Sequence, residues 1–237
     1  WPDGVLEPVS FSAYQGEILG LSGQLGSGAG EVLASIAGAL KSRSGSLTLN
    51  GETFLPKSPS QAIKKKIAYC SSDRKKDGLF LGRPIFENLT SPALDTISKF
   101  GFNFGSTEDS YAKNLAQEFL IDVKRVYDES GLLSGGNQQK VALGKWLSIK
   151  PDVLLVNEPT RGVDVGAKSE IYQRMRELAA RGITIIFAST DIQEITYLPD
   201  RVITFYRGMM IDEHRLEQIK TPVILKEITD PFNETNL

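Results

Sequence analysis

Short apolar runs rich in β-branched residues alternate along this chain with longer stretches of helical period. EILGLS (17–22), SLTL (46–49), KIAYC (66–70), DVLLVN (152–157), ITIIFAS (183–189) and RVITFY (201–206) each predict a strand. VLLV is apolar at every position, the pattern of a strand buried on both faces. Between the last strands, Ile171, Met175 and Leu178 recur at helical spacing, so 167–180 is expected to be an amphipathic helix packed on the sheet. Strand, helix and strand in succession specify βαβ units and a mainly parallel sheet, hence an α/β fold.

Turn chemistry adds an antiparallel flank. VSFSA and EILGL are expected to form a hairpin turning at Gln15 and Gly16, and Asn50-Gly51 and Arg207-Gly208 are expected to be further tight turns. From about 82 to 139 the pattern changes, with FGFNFGS as punctuation and a helical period from Tyr111 to Leu120. That stretch is expected to be a helical lobe inserted into a core made of 1–81 and 140–237, the whole forming one unit.

Composition narrows the function classes. Twenty-seven basic against 29 acidic side chains leave a formal charge of −2, which gives no global attraction to nucleic acid or anionic lipid. No apolar run approaches the roughly 20 residues that a membrane-spanning helix needs. A single cysteine, Cys70, cannot close an internal disulfide, and a single histidine, His214, leaves no cysteine and histidine metal cluster; a reducing, cytoplasmic setting is expected. Cys70, inside a strand, is expected in the core, and His214, within DEHRLEQ, on the surface. The chain opens on Trp1 rather than methionine, as a piece of a longer protein would.

The first chemistry lies in GQLGSGAGEV, which follows a strand and opens a helix. Gly23, Gly26, Gly28 and Gly30 let backbone amides turn inward around an anion, with Ser27 among them, and the helix N-terminus favours phosphate. Aligned with GxxGxGK[ST], however, Ala29 stands at the lysine that would neutralise terminal phosphates and Gly30 at the hydroxyl that would hold magnesium. Glu31 adds a negative charge beside the site. A dinucleotide fold is the rival reading, but it requires GxGxxG and an acidic residue after the next strand, where this chain has Asn50. The second candidate is LLSGGNQQKVALGKWL, in which Ser134, Gly135 and Gly136 open a helix and again present amides and a hydroxyl to an anion.

LSGGNQQK followed by DVLLVNEPTRGVDVGAKSEIY closely resembles the ATPase subunits of ABC transporters, in particular those that power bacterial uptake of monosaccharides such as ribose, xylose and galactosides. SSDRKKDGLFLG is similar to the same subfamily, and the resemblance covers nearly the whole chain. It implies an ABC ATPase cassette: a P-loop NTPase core with a mainly parallel sheet, an antiparallel β flank and a helical signature lobe. EPTRGVDVG with LSGGNQQK is typical of the second cassette of a two-cassette polypeptide.

By resemblance, residues 23–31 form the Walker A loop, and 153–157 the Walker B strand, ending in Asn157 where aspartate is usual. Glu158 is the residue that polarises the attacking water, and Thr190 stands where a switch histidine is usual. Ser134, Gly135, Gly136, Asn137 and Gln138 form the signature motif, and residues 161–164, ending in Asp164, the D-loop. Ser72 or Asp73 falls at the Q-loop, which in the family senses the membrane subunit, and Trp1 is the candidate aromatic for adenine stacking.

The family uses ATP and Mg2+, pairs its cassettes head to tail, and docks them from the cytoplasm on membrane permease subunits served by a sugar-binding protein. With lysine, hydroxyl, aspartate and histidine all replaced, Mg2+ binding at this cassette's own site is doubtful, and its signature and D-loop are expected to complete a partner's site. The alternative is a regulatory or structural cassette without catalysis. DNA-repair and ribosome-associated ABC ATPases share the signature but carry coiled-coil arms or basic extensions, and neither is visible here.

Overall fold

The computed structural model describes residues 7–41, 45–94 and 105–232. In chain order they form β1 (Ile18–Gly23), α1 (Ala29–Ile36), β2 (Leu47–Leu49), β3 (Glu52–Phe54), α2 (Pro59–Lys64) and β4 (Ile67–Cys70). Then come α3 (Ile85–Thr90), α4 (Gly105–Glu118), α5 (Gly135–Leu147), β5 (Val153–Asn157) and α6 (Val165–Ala180). The chain ends in β6 (Thr184–Ser189), α7 (Ile192–Tyr197), β7 (Arg201–Tyr206), β8 (Met209–Arg215) and α8 (Thr221–Thr229). Two compact units result: Trp1–Tyr69, Asp152–Pro159 and Met175–Leu237 supply the first, Cys70–Pro151 and Thr160–Arg174 the second.

The first unit is built on a six-stranded sheet in the order β4-β5-β6-β1-β7-β8, beside a two-stranded β2-β3 ribbon. β1 runs parallel to both β6 and β7, and β5 parallel to β6, whereas β8 returns antiparallel along β7. All six expected strands form, each within a residue of its expected limits. β1, β5 and β6 are buried along nearly their whole length, as their unbroken apolar runs require. Val32 and Leu33 of α1 pack with Leu19, Leu21, Leu155 and Phe205 in the core. Each such side chain contributes roughly 1.5–3 kcal/mol by leaving water.

The hairpin expected at Gln15 and Gly16 does not form as a strand pair. Residues 9–13 carry no strand, because β6 and β7 already occupy both edges of β1. Only the turn survives, with the Glu17 N–H donating to Tyr14 O at 3.0 Å and Gly16 at φ 77°. The other two turns do form. Asn50 and Gly51 (φ 52° and 82°), like Arg207 and Gly208 (φ 46° and 85°), both take the left-handed conformation that a two-residue type I′ hairpin requires.

The position of His214 also differs from expectation: it is buried rather than on the surface, at 7% exposure. Its Nε2 lies 2.8 Å from Glu227 Oε2 of α8, and Thr204 Oγ1 donates to the same oxygen at 2.7 Å. The C-terminal helix therefore covers the face of the edge hairpin on which a strand-only reading left the imidazole exposed. The described residues do place one histidine and two carboxylates, Asp212, His214 and Glu227, close together.

The second unit is helical around α3, α4 and α5. Phe119 seats on Gly144, where an added methyl would lie 3.1 Å from its ring, and Leu89 closes the same contact. Fully buried Asn88 ties the turns before α5 together, donating to Ser130 Oγ at 2.9 Å and to Phe80 O at 3.1 Å. Cys70 is in the core as expected, and burial pushes its thiol up to about 11. FGFNFGS, apart from its last two residues, and Trp1 lie outside the described residues.

Candidate functional site

In the first unit, the chain leaves β1 at Gly23 and must turn at once into α1. A side chain at Gly23 is ruled out, because its Cβ would fall 2.1 Å from Ser27 Oγ and 2.9 Å from Phe205 O. Gly26 and Gly28 take φ of 79° and 104°, so the loop reaches the helix through left-handed residues that only glycine adopts cheaply. Ser27 is buried; its N–H donates to Gln24 O at 2.9 Å and its Oγ accepts, weakly, from Ala29 N at 3.5 Å. The β7-β8 turn buttresses the loop from outside, with Gly208 N–H donating to Ser27 O at 2.8 Å. Ala29 is buried and Glu31 half-buried in the first turn of α1, with no cation at position 29.

Asn157, at the end of β5, lies directly against Gly30. A methyl group on Gly30 would meet Asn157 Nδ2 at 2.9 Å and Oδ1 at 3.3 Å. The amide therefore presses into the space that the side chain of a serine or threonine at position 30 would need. The next residue, Glu158, takes φ 55°, a strained backbone for a side chain of its kind. Two hydrogen bonds hold it there: its N–H donates to Ala188 O at 2.8 Å, and its Oε1 accepts from Thr190 N at 2.9 Å. Thr190 is thus joined to Glu158 through its backbone, while Ser189 turns inward to donate to buried Glu194 at 2.6 Å.

The second unit brings the other expected residues together. Ser134 is exposed and caps α5, its Oγ accepting from Asn137 N at 3.4 Å. Gln138 is buried one turn later, donating through Nε2 to Ser130 O at 3.4 Å. The start of α5 packs closely on the start of α6. A methyl on Gly136 would fall 2.5 Å from Ala167 Cβ and 3.4 Å from Asp164 Oδ2, and one on Gly135 would fall 2.8 Å from Gly162 O. Asp164 is exposed and caps α6 by accepting from Ala167 N at 3.0 Å, while buried Val163 anchors the loop. An ion pair between Lys140 and Glu170 joins the two helices further along. Residues 134–138 and 161–164 therefore form one block.

Ser72 and Asp73 follow β4 in the same unit. Asp73 caps a π-helical turn, Arg74–Gly78, accepting from Lys75 N at 3.1 Å and Lys76 N at 3.0 Å. Arg74 opens an RKK run, which by local charge pattern alone is a solvated face, yet its guanidinium is held by groups far away in sequence. Its Nη1 donates to Arg161 O at 2.7 Å, and its Nε makes a long contact with Gln138 Oε1 at 3.5 Å. The only available hint was that this one position is arginine, whose planar fork suits carbonyl oxygens better than an ammonium does.

In the first unit a glycine turn leads from β1 into α1 with Asn157 beside it, and in the second a helix opened by Ser134, Gly135 and Gly136 packs on the start of α6. The pattern of the ABC transporter family matches residues 6–161. The chain belongs to the ABC transporter family. Its relatives include the ribose import ATP-binding protein RbsA of Streptococcus agalactiae serotype III (strain NEM316), 45% identical over 207 residues, 87% of this chain and 42% of that protein. RbsA of Lactococcus lactis subsp. lactis (strain IL1403) is 45% identical over 202 residues, 84% of this chain and 41% of that protein.

This ABC family chain thus spans about two-fifths of the length of those relatives. A nucleotide-free ATP-binding cassette from an ABC transporter shares the fold at a TM-score of 0.79 with 22% identity, covering 96% of this chain and 90% of that one. A dimeric post-hydrolysis cassette bound to ADP and Pi shares it at 0.77 with 21% identity, covering 90% of each chain. The expected ABC cassette fold is therefore present. Among the described residues no helix is long and apolar enough to cross a membrane.

Proposed function

We propose that the chain is the second ATPase cassette of a longer two-cassette subunit that couples ATP binding and hydrolysis to sugar import. In this account its own Walker site is degenerate. Its signature motif and D-loop complete the site whose Walker motifs belong to a partner cassette, paired head to tail and carried on the same polypeptide. The assembly sits peripherally at the cytoplasmic face of the membrane, docked on permease subunits that receive the sugar from a binding protein. Support for sugar as cargo comes from the likeness to RbsA proteins, which are ribose import ATP-binding proteins.

The observation that carries the proposal is an asymmetry between motifs. Ser134, Gly135, Gly136 and Asp164 present an exposed hydroxyl, a helix N-terminus and a carboxylate on one packed block. At the Walker A loop the glycine turn fits a phosphate, which backbone amides alone can hold. Mg2+ does not fit in the family's manner: position 30 has no hydroxyl, position 157 offers an amide in place of a carboxylate, and that amide lies against Gly30. Glu158 and Thr190 then lack the charge-neutralising groups on which phosphoryl transfer depends.

The test is ATP turnover by this chain alone, purified at concentrations that would reveal self-pairing. Hydrolysis is expected to be undetectable or far below the ordinary range of ~1 to 10³ s⁻¹. Turnover within that range, abolished by Glu158→Gln, would contradict the silent-site assignment.

A further inference from the structure

We propose that Arg74 is a positioning residue that holds the signature motif and the D-loop in one arrangement and ties both to the Ser72-Asp73 segment. The assignment deepens the composite-site reading above and rests on it. Arg74 begins the turn that Asp73 caps, so its backbone is fixed to the segment resembling a Q-loop. Its guanidinium then reaches 87 residues along the chain to donate to Arg161 O at 2.7 Å, the first residue of the D-loop.

The same fork lies over the signature. Nε contacts Gln138 Oε1 at 3.5 Å, and a methyl on Gly135 would stand 2.9 Å from Nη2. Gly162, at φ 67°, faces it too, with its added-methyl position 3.7 Å from Nη2. Three motifs separated in sequence therefore meet on one half-buried guanidinium. A charged donor to a carbonyl holds it more firmly than a neutral one, and a planar fork fixes direction as well as distance. Ser134 and Asp164 are the groups offered to a partner's nucleotide, so a displacement of the Ser72-Asp73 segment would be felt by both at once.

The experiment uses the complete transporter, reconstituted with its membrane subunits in proteoliposomes, with ATP turnover and sugar uptake measured for wild type, Arg74→Gln, Arg74→Lys and Ser134→Arg. Misplacing groups that act only in the assembled transition state lowers kcat rather than raising KM. Arg74→Gln is expected to lower kcat on the order of 10- to 100-fold while KM for ATP stays within about two-fold. Arg74→Lys, which retains the charge and can reach one carbonyl but not span both motifs, is expected to recover part of that loss. It also supplies the measurement if the glutamine variant does not assemble.

Wild-type kcat in Arg74→Gln, or a loss that disappears once rates are normalised to assembled transporter, overturns the assignment. If Ser134→Arg abolishes turnover and both Arg74 variants do not lower it, only the role of Arg74 fails. If Ser134→Arg is also silent, the composite-site reading fails with it.

Discussion

At the scale of single residues, the most telling contact is between Gly30 and Asn157. Each alone removes a group the resembled motif would offer to Mg2+, and together they form a pair in which the missing side chain of one makes room for the amide of the other. Gly30→Ser by itself is expected not to create Mg2+-dependent nucleotide binding, because position 157 still offers an amide where the metal requires a carboxylate. Ala29→Lys, Gly30→Ser and Asn157→Asp combined are expected to restore it, measured as fluorescent-ATP binding with and without Mg2+. Equal Mg2+ dependence in the single and triple variants would show that the two positions do not act as a pair.

That Ala29 and Gly30 stand where the resembled motif has lysine and a hydroxyl was legible in GQLGSGAGEV, since the loop is a local motif. The contact with Asn157 was not, because only the fold brings β5 to α1. Arg74 and His214 escaped for the same reason. Their partners, Arg161 with Gln138 and Glu227 with Thr204, lie on other elements, and a local charge pattern reads such residues as solvated.

At the scale of elements, the fold follows local chemistry wherever that chemistry is self-contained. Unbroken β-branched runs became buried strands, and Asn50-Gly51 and Arg207-Gly208 became type I′ turns because both positions of each accept positive φ. The failed hairpin at Gln15-Gly16 marks the limit: the turn forms, but β1 has no free edge to offer its neighbour in sequence. The crossing of α5 and α6 depends on a single missing methyl. Gly136→Ala would place its Cβ 2.5 Å from that of Ala167, and neither helix can yield by rotating a side chain. A loss of about 1–3 kcal/mol in unfolding free energy is expected from denaturant titration, less any gain in helix propensity. Unchanged stability would mean that the two helix starts are free to separate.

At the scale of the whole molecule, the two compact units divide the chemistry between them. The first carries the glycine turn of residues 23–31, Asn157, Glu158 and Thr190; the second carries residues 134–138 and 161–164, which resemble the signature and the D-loop, and Arg74. Ala29, Gly30, Asn157 and Thr190, which depart from the motifs they resemble, all lie in the first unit, and Ser134, Gly135, Gly136 and Asp164, which the proposal offers to another cassette, lie in the second. The most direct test compares Ser134→Arg with Ala29→Asp in the complete transporter, with sugar uptake as the readout. The account predicts that Ser134→Arg abolishes uptake by blocking the partner's site, whereas Ala29→Asp, in a site already silent, leaves uptake near wild type. Uptake lost with Ala29→Asp and retained with Ser134→Arg would contradict it.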